Sequence, residues 1–148
     1  MDKNNCRVID CESEKCLLNV LFVDDENLSQ AIAERHLKKL GCSINFAALG
    51  EEAIIDLKEN DYDIVFLDFF LPDMNATEVV GEIRKSTAVA NCFFVGITND
   101  GSSSCRNAFA EVGVVEVLEK PLTITVLEQI VNRVKQYKLN PASSNCSK

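Results

Sequence analysis

The stretch 63-DIVFLDFFLPDM-74 decides the fold. Ile64, Val65, Phe66 and Leu67 make a continuous apolar run. Asp68 then interrupts it, and Phe69, Phe70 and Leu71 resume it before Pro72. Unbroken runs of this length mark strands covered on both faces, as in a parallel sheet. A carboxylate at the end of such a strand is costly when buried, so its presence calls for a chemical reason.

Four more short apolar runs flank this one: 19-NVLFVDD-25, 43-SINFAAL-49, 92-CFFVGIT-98 and 114-VVEVLEKP-121. The first four in chain order are nearly continuous in hydrophobicity, and each is expected to be buried on both faces. The fifth is broken by Glu116 and Glu119, as expected of an edge strand. Helical spacing fills the intervals. Ala53, Ile54 and Leu57 share a face, as do Val79, Val80 and Ile83. Cys105, Ala108, Phe109 and Val112 recur at i, i+3, i+4 and i+7, as do Leu127, Ile130, Val131 and Val134. The segment 27-NLSQAIAERHLKKLG-41 predicts a longer helix ended by Gly41, with Ile32, Leu37, Leu40 and His36 on its apolar face. Five alternations of strand and helix predict an α/β, doubly wound domain with right-handed crossovers. Residues 1–18 and 139–148 are polar and aperiodic and are expected to be flexible ends flanking a domain at 19–138.

The 148 residues favour one core, and the net charge of −8 argues against nucleic acid and against an anionic membrane surface as partners. Residues 1–18 lack the apolar core of a signal peptide, and no apolar run approaches membrane-spanning length. An intracellular site, cytoplasm or nucleus, is expected. Seven cysteines without CxxC spacing and one histidine, His36, are expected to be reduced thiols and a packed imidazole rather than a zinc site. The sequons at Asn75 and Asn145 read as chance matches.

In a doubly wound sheet, ligands bind beyond the carboxyl ends of the strands. Asp24, Asp25 and Glu26 follow the first strand, Asp68 ends the third, Thr98 the fourth, and Lys120-Pro121 the fifth. Each alone has an ordinary explanation, such as a helix cap, a turn or a surface lysine. Together they would converge on one edge. Clustered carboxylates repel unless a cation neutralises them. Oxygen ligands around an open site suit Mg²⁺, for which Mn²⁺ could stand in. Lys120 could pair with Asp68 when the site is empty and with a phosphoryl oxygen when it is full. Thr98 could donate to the same group. Asp68 could then accept a phosphoryl group as an acyl phosphate.

In order and spacing, Asp24-Asp25, Asp68, Thr98 and Lys120-Pro121 resemble the receiver domains of two-component response regulators, over about residues 19–137. The stretches 96-GIT-98 and 113-G…LEKPLT-123 look most like plant receivers, and the whole is similar to the stand-alone type-C group. The resemblance implies a flavodoxin-like (βα)5 fold, a five-stranded parallel sheet of order 2-1-3-4-5, and a cis peptide at Lys120-Pro121. It implies that Asp68 accepts phosphate from a histidine-containing phosphotransfer protein, itself fed by a hybrid histidine kinase. It further implies Mg²⁺ held by Asp25, Asp68 and the backbone carbonyl of Phe70, with Asp24 acting through water. Thr98 and Lys120 would hold the phosphoryl oxygens. A role in cytokinin-type signalling, as a phosphate sink with autophosphatase activity, goes with that group.

Three positions depart from the family pattern. Val117 stands where an aromatic switch residue is common. Phe70 is bulky and is expected to shield the acyl phosphate. Ala76 replaces a usual glycine and predicts strain if its φ is positive. The loop 98-TNDGSSS-104 reads either as a lid or as a serine-capped helix start, and the basic residues Arg35, Lys38 and Lys39 mark the first helix as an edge for a partner. Two other functions compete. One is a degenerate receiver acting only as an interaction module. The other is a haloacid-dehalogenase-like phosphatase, which would need DxD where this chain has DDE.

Overall fold

The structure is a computed structural model, and residues 17–86, 92–99 and 103–139 are described. Five strands alternate with five helices. They are β1 (Asn19–Val23), α1 (Asn27–Lys39), β2 (Ser43–Ala47), α2 (Gly50–Glu59) and β3 (Ile64–Asp68). Then follow α3 (Ala76–Arg84), β4 (Phe93–Thr98), α4 (Ser103–Glu111), β5 (Val117–Glu119) and α5 (Ile124–Leu139). The sheet is parallel throughout, in the order β2-β1-β3-β4-β5. This is the 2-1-3-4-5 topology that the family resemblance implied.

Because successive strand residues point to opposite faces, the core divides in two. Leu21, Val23, Val65 and Leu67 pack with Ala53 and Leu57 of α2, Val79, Val80 and Ile83 of α3, and Phe109 of α4. Val20, Phe22, Ile64, Phe66, Val95 and Ile97 face Ala33 and Leu37 of α1 and four buried residues of α5, Leu127, Ile130, Val131 and Val134. Full burial of each large side chain contributes roughly 1.5–3 kcal/mol. Gly41 ends α1 at φ +85°, a conformation that L side chains rarely adopt. Gly96 in β4 lies beneath the Phe109 ring, and a Cβ there would meet that ring at 2.5 Å.

Several expectations are corrected. β2 is not buried on both faces. It is the second edge of the sheet, and its side chains alternate, with Ser43 and Asn45 exposed. Only three residues of the run 114–121 form strand. Leu18, assigned to the flexible end, is buried, and its carbonyl accepts from Ser43 N–H at 2.8 Å. Ala33 and Leu37 are the buried positions of α1. Ala76 carries no positive φ. It is the first residue of α3, fully buried, and donates its N–H to the Phe69 carbonyl at 2.8 Å. Asn75 caps that helix in a reciprocal box with Glu78. Of the 98–104 loop, residues 100–102 lie outside the described residues, as do Cys6, Cys11, Cys16, Cys146 and the 140–148 tail. Cys42, Cys92 and Cys105 form no disulfide. Burial pushes Cys42 up to about 11 and Cys92 up to about 12, which makes both poor nucleophiles at neutral pH.

Candidate functional site

The strand order sets β3 beside β1 on one side and β4 on the other, so their C-terminal ends open onto one edge. β1 runs into Asp24, whose N–H still donates to the Ala47 carbonyl at 3.0 Å. Asp24 is therefore held in line with the sheet and is wholly buried, whereas Asp25 turns out to solvent. Asp68 is the last residue of β3 and is 5% exposed. One ligand oxygen from each of Asp24, Asp25 and Asp68 lies within 4.8 Å of the others. Across the next ladder Asp68 pairs with Ile97, which sets Thr98 one register further out, buried at the end of β4. Lys120 follows β5. Its N–H donates to the Thr98 carbonyl at 2.9 Å, and the Lys120-Pro121 peptide is cis, as implied.

Lys120 pairs with Asp68, as expected, and with two other carboxylates besides. Its ammonium lies 2.7 Å from Asp24 Oδ2, 3.2 Å from Glu26 Oε1 and 3.6 Å from Asp68 Oδ2. Asp68 is the farthest of these three. The approach to Asp24 Oδ2 is an ion pair without hydrogen-bond geometry, and that buried oxygen has no directed donor. Asp24 Oδ1 accepts from the Glu26 N–H at 3.0 Å, and the Asp24 carbonyl accepts from Gln30 Nε2 at 2.6 Å.

The electrostatics follow from this crowding. Burial first, then the neighbouring Asp24 carboxylate, push Asp68 up to about 7. Asp25 adds to the rise and Lys120 opposes it. Burial works to lower the Lys120 ammonium, but Asp24, Asp68 and Glu26 together hold it above the ordinary lysine value. The site is a set of carboxylates short of positive charge. That is the donor set a hard divalent cation takes.

Phe70, two residues past Asp68, is 68% exposed rather than folded into the lip. Its ring meets Phe69 edge-on at 4.8 Å, and Phe69 meets Phe109 likewise at 5.3 Å. Val117 is buried in β5 opposite Gly96, and its carbonyl accepts from Arg106 Nη1 at 3.4 Å. Asp73 was not singled out in the sequence. It accepts from the N–H groups of Gly50 and Glu51 at 2.8 and 3.0 Å and so caps α2 from the loop after β3. No local signal connects residues 22 and 23 positions apart. The DDE triplet did signal Glu26, though only as charge.

Residues 20–132 match the model of the response regulator receiver domain. The chain belongs to that family. Among its relatives is Two-component response regulator ARR22 of Arabidopsis thaliana, 32% identical over 115 residues, covering 76% of this chain and 80% of the relative. Another is the Autoinducer 2 sensor kinase/phosphatase LuxQ of Vibrio cholerae, 32% identical over 120 residues, or 81% of this chain. This receiver spans only 14% of that sensor kinase. Among solved structures, a response regulator of Chloroflexus aurantiacus superposes with TM-score 0.75 at 25% identity, covering 80% of this chain and 98% of that one. The co-crystal structure of the Saccharomyces cerevisiae histidine phosphotransfer protein Ypd1 with the receiver domain of Ssk1 contains a chain similar at TM-score 0.73 and 26% identity, covering 82% and 90%. No helix among the described residues of this receiver is long and apolar enough to cross a membrane.

Proposed function

We propose that this receiver takes a phosphoryl group onto Asp68 from the phosphohistidine of a histidine-containing phosphotransfer protein and later loses it to water. The observation that carries the reading is Asp68 itself, a buried carboxylate at a strand end, grouped with Asp24 and Asp25 and facing the Lys120 ammonium. In the transfer the phosphohistidine N–P bond breaks, an Asp68 carboxylate oxygen bonds to phosphorus, and the imidazole leaves with the electron pair.

Mg²⁺ fits the donor set: three carboxylates within 4.8 Å, with Asp24 Oδ2 buried and lacking a directed donor. Asp25, Asp68 and the Phe70 carbonyl would hold the ion, with Asp24 acting through water. The ion would neutralise charge on the phosphoryl oxygens. The chain's own residues supply the rest. Asp68 is the nucleophile and needs no general base, since it attacks as a carboxylate. Lys120 leaves its resting carboxylates to pair with a phosphoryl oxygen, and the Thr98 hydroxyl donates to another. The product is self-modification followed by self-directed hydrolysis, not turnover of a separate substrate.

A groove of about 300 Å³ opens beside Lys120, with Leu28, Ile32, Pro121 and Leu122 as its apolar wall. An apolar helix face that carries the donor histidine fits such a wall, and the Ypd1 complex of a similar receiver supports that partner class. A hybrid histidine kinase would feed that partner. The Arabidopsis relatives support a plant two-component relay; cytokinin-type signalling in cytoplasm or nucleus is part of this proposal. Val117 supports a phosphate sink, because a valine offers no ring to swing inward when Thr98 is engaged.

The test is label transfer from a phosphorylated phosphotransfer protein, with Mg²⁺, to the wild type and to Asp68→Asn. Label on the wild type alone is expected. A partner that binds both proteins and labels neither would leave an interaction module in place of a relay.

A further inference from the structure

Among the described residues, Glu26 is the one carboxylate paired with Lys120 that the proposed phosphoryl chemistry does not use. Its position is nonetheless fixed. Glu26 Oε1 accepts from the Ser29 hydroxyl at 2.7 Å and from the Lys120 ammonium at 3.2 Å. Its own N–H is tied to Asp24 Oδ1. Residue 26 also immediately precedes α1, so its backbone cannot move away without fraying the helix start. The buried Asp24 and the Ser29-tethered Glu26 therefore both lie nearer the ammonium than Asp68 does.

We infer that Glu26 is a positioning residue that restrains Lys120 in the unphosphorylated protein and so limits the rate at which Asp68 is phosphorylated. The inference rests on the phosphoacceptor reading of Asp68. When a phosphoryl group arrives, Lys120 must give up a carboxylate to reach a phosphoryl oxygen. Asp24 is buried and cannot follow it, whereas Glu26 is half exposed and is the partner to be released. With an acyl phosphate as donor, the P–O bond to the carboxylic leaving group breaks and the Asp68 O–P bond forms. Lys120 stabilises the charge on the phosphoryl oxygens only once it is free to move.

The experiment measures Mg²⁺-dependent uptake of label from acetyl phosphate by the full chain at several donor concentrations. Wild type is compared with Glu26→Gln, Glu26→Asp and Ser29→Ala, and Mg²⁺ affinity is measured in parallel. Glu26→Gln is expected to raise the rate at saturating donor roughly two- to fivefold, the modest scale of a partly exposed ion pair. Glu26→Asp keeps the charge but shortens the reach to Lys120, and Ser29→Ala removes the hydroxyl that anchors Glu26. Both should move in the same direction, with Mg²⁺ affinity unchanged. An increase in Glu26→Gln alone, confined to low donor concentration and erased by salt, would mean simple repulsion of the anionic donor and overturn the inference. A slower Glu26→Gln with weaker Mg²⁺ binding would overturn it too, by placing Glu26 on the metal. Normal wild-type labelling with all three variants unaltered overturns it alone. Absence of label on the wild type removes the phosphoacceptor reading and the inference with it.

Discussion

Replacing Asp68 with asparagine should stabilise the protein when no divalent cation is present. The folded-state value of about 7 lies well above the ordinary 3.8. Between about pH 4 and pH 7 the native state therefore holds a proton that the unfolded chain has lost, and stability falls as pH rises through that window. A displacement of about three units corresponds to at most ~4 kcal/mol at neutral pH. Asparagine mimics the neutral form but leaves its amide beside Lys120 and the remaining carboxylates. A gain of about 2 kcal/mol is the realistic expectation, or roughly 4–8 °C in Tm for a domain of this size. Urea unfolding of the wild type and Asp68→Asn, in chelator from pH 4 to pH 8, measures it. The gain should grow from near zero at the acid end to a plateau above pH 7. Adding Mg²⁺ at ten times its Kd should return about 1.4 kcal/mol to the wild type and less to the variant. A variant less stable than the wild type at pH 8, or a gain independent of pH, would refute the account of a charge-starved site.

Three further outcomes are expected. Phe70→Asn should shorten the lifetime of label on Asp68 severalfold if the ring screens the acyl phosphate, and an unchanged decay would assign the 68%-exposed ring to another task. Gly96→Ala should cost about 1–3 kcal/mol of unfolding free energy, because its Cβ would press on the buried Phe109 ring, and truncating that ring by Phe109→Leu should recover part of the loss. Asp73→Ala should lower thermal stability by removing two bonds to the start of α2. Those bonds and the others hold Asp73 below the usual carboxylate value, so the difference from the wild type should persist above pH 4 and fade as the pH drops through the depressed value.

The strand-helix alternation was legible because every element carries its own period, and residues such as Leu127, Ile130, Val131 and Val134 lie where spacing put them. The strand-end chemistry was legible because a doubly wound sheet gives a rule for where to look. The exposure of β2 was harder to read. Its polar residues, Ser43 and Asn45, alternate with Ile44 and Phe46, and the run read as more apolar than it is. The pairing of Lys120 with Asp68 was legible from charge, but charge alone cannot rank three carboxylates. Only the backbone path after β1, which buries Asp24 and turns Glu26 toward Ser29, gives the order. The strain forecast for Ala76 failed because Asn75 takes the capping role and lets the helix begin at Ala76. The Asp73 cap was invisible because it joins segments that only the folded sheet brings together.

The two edges of the sheet carry a consequence for how this chain meets others. An open strand edge is a template on which a second backbone can be laid down. Here one edge is only three residues long, and the other is five residues long with Ser43 and Asn45 exposed. Neither offers a long, flat row of spare amides and carbonyls, so edge-to-edge growth into fibrils or swapped dimers is disfavoured. Backbone pairing with a second chain is therefore the mode of contact this sheet least invites, and side chains on the helices and strand-end loops are the surface that remains.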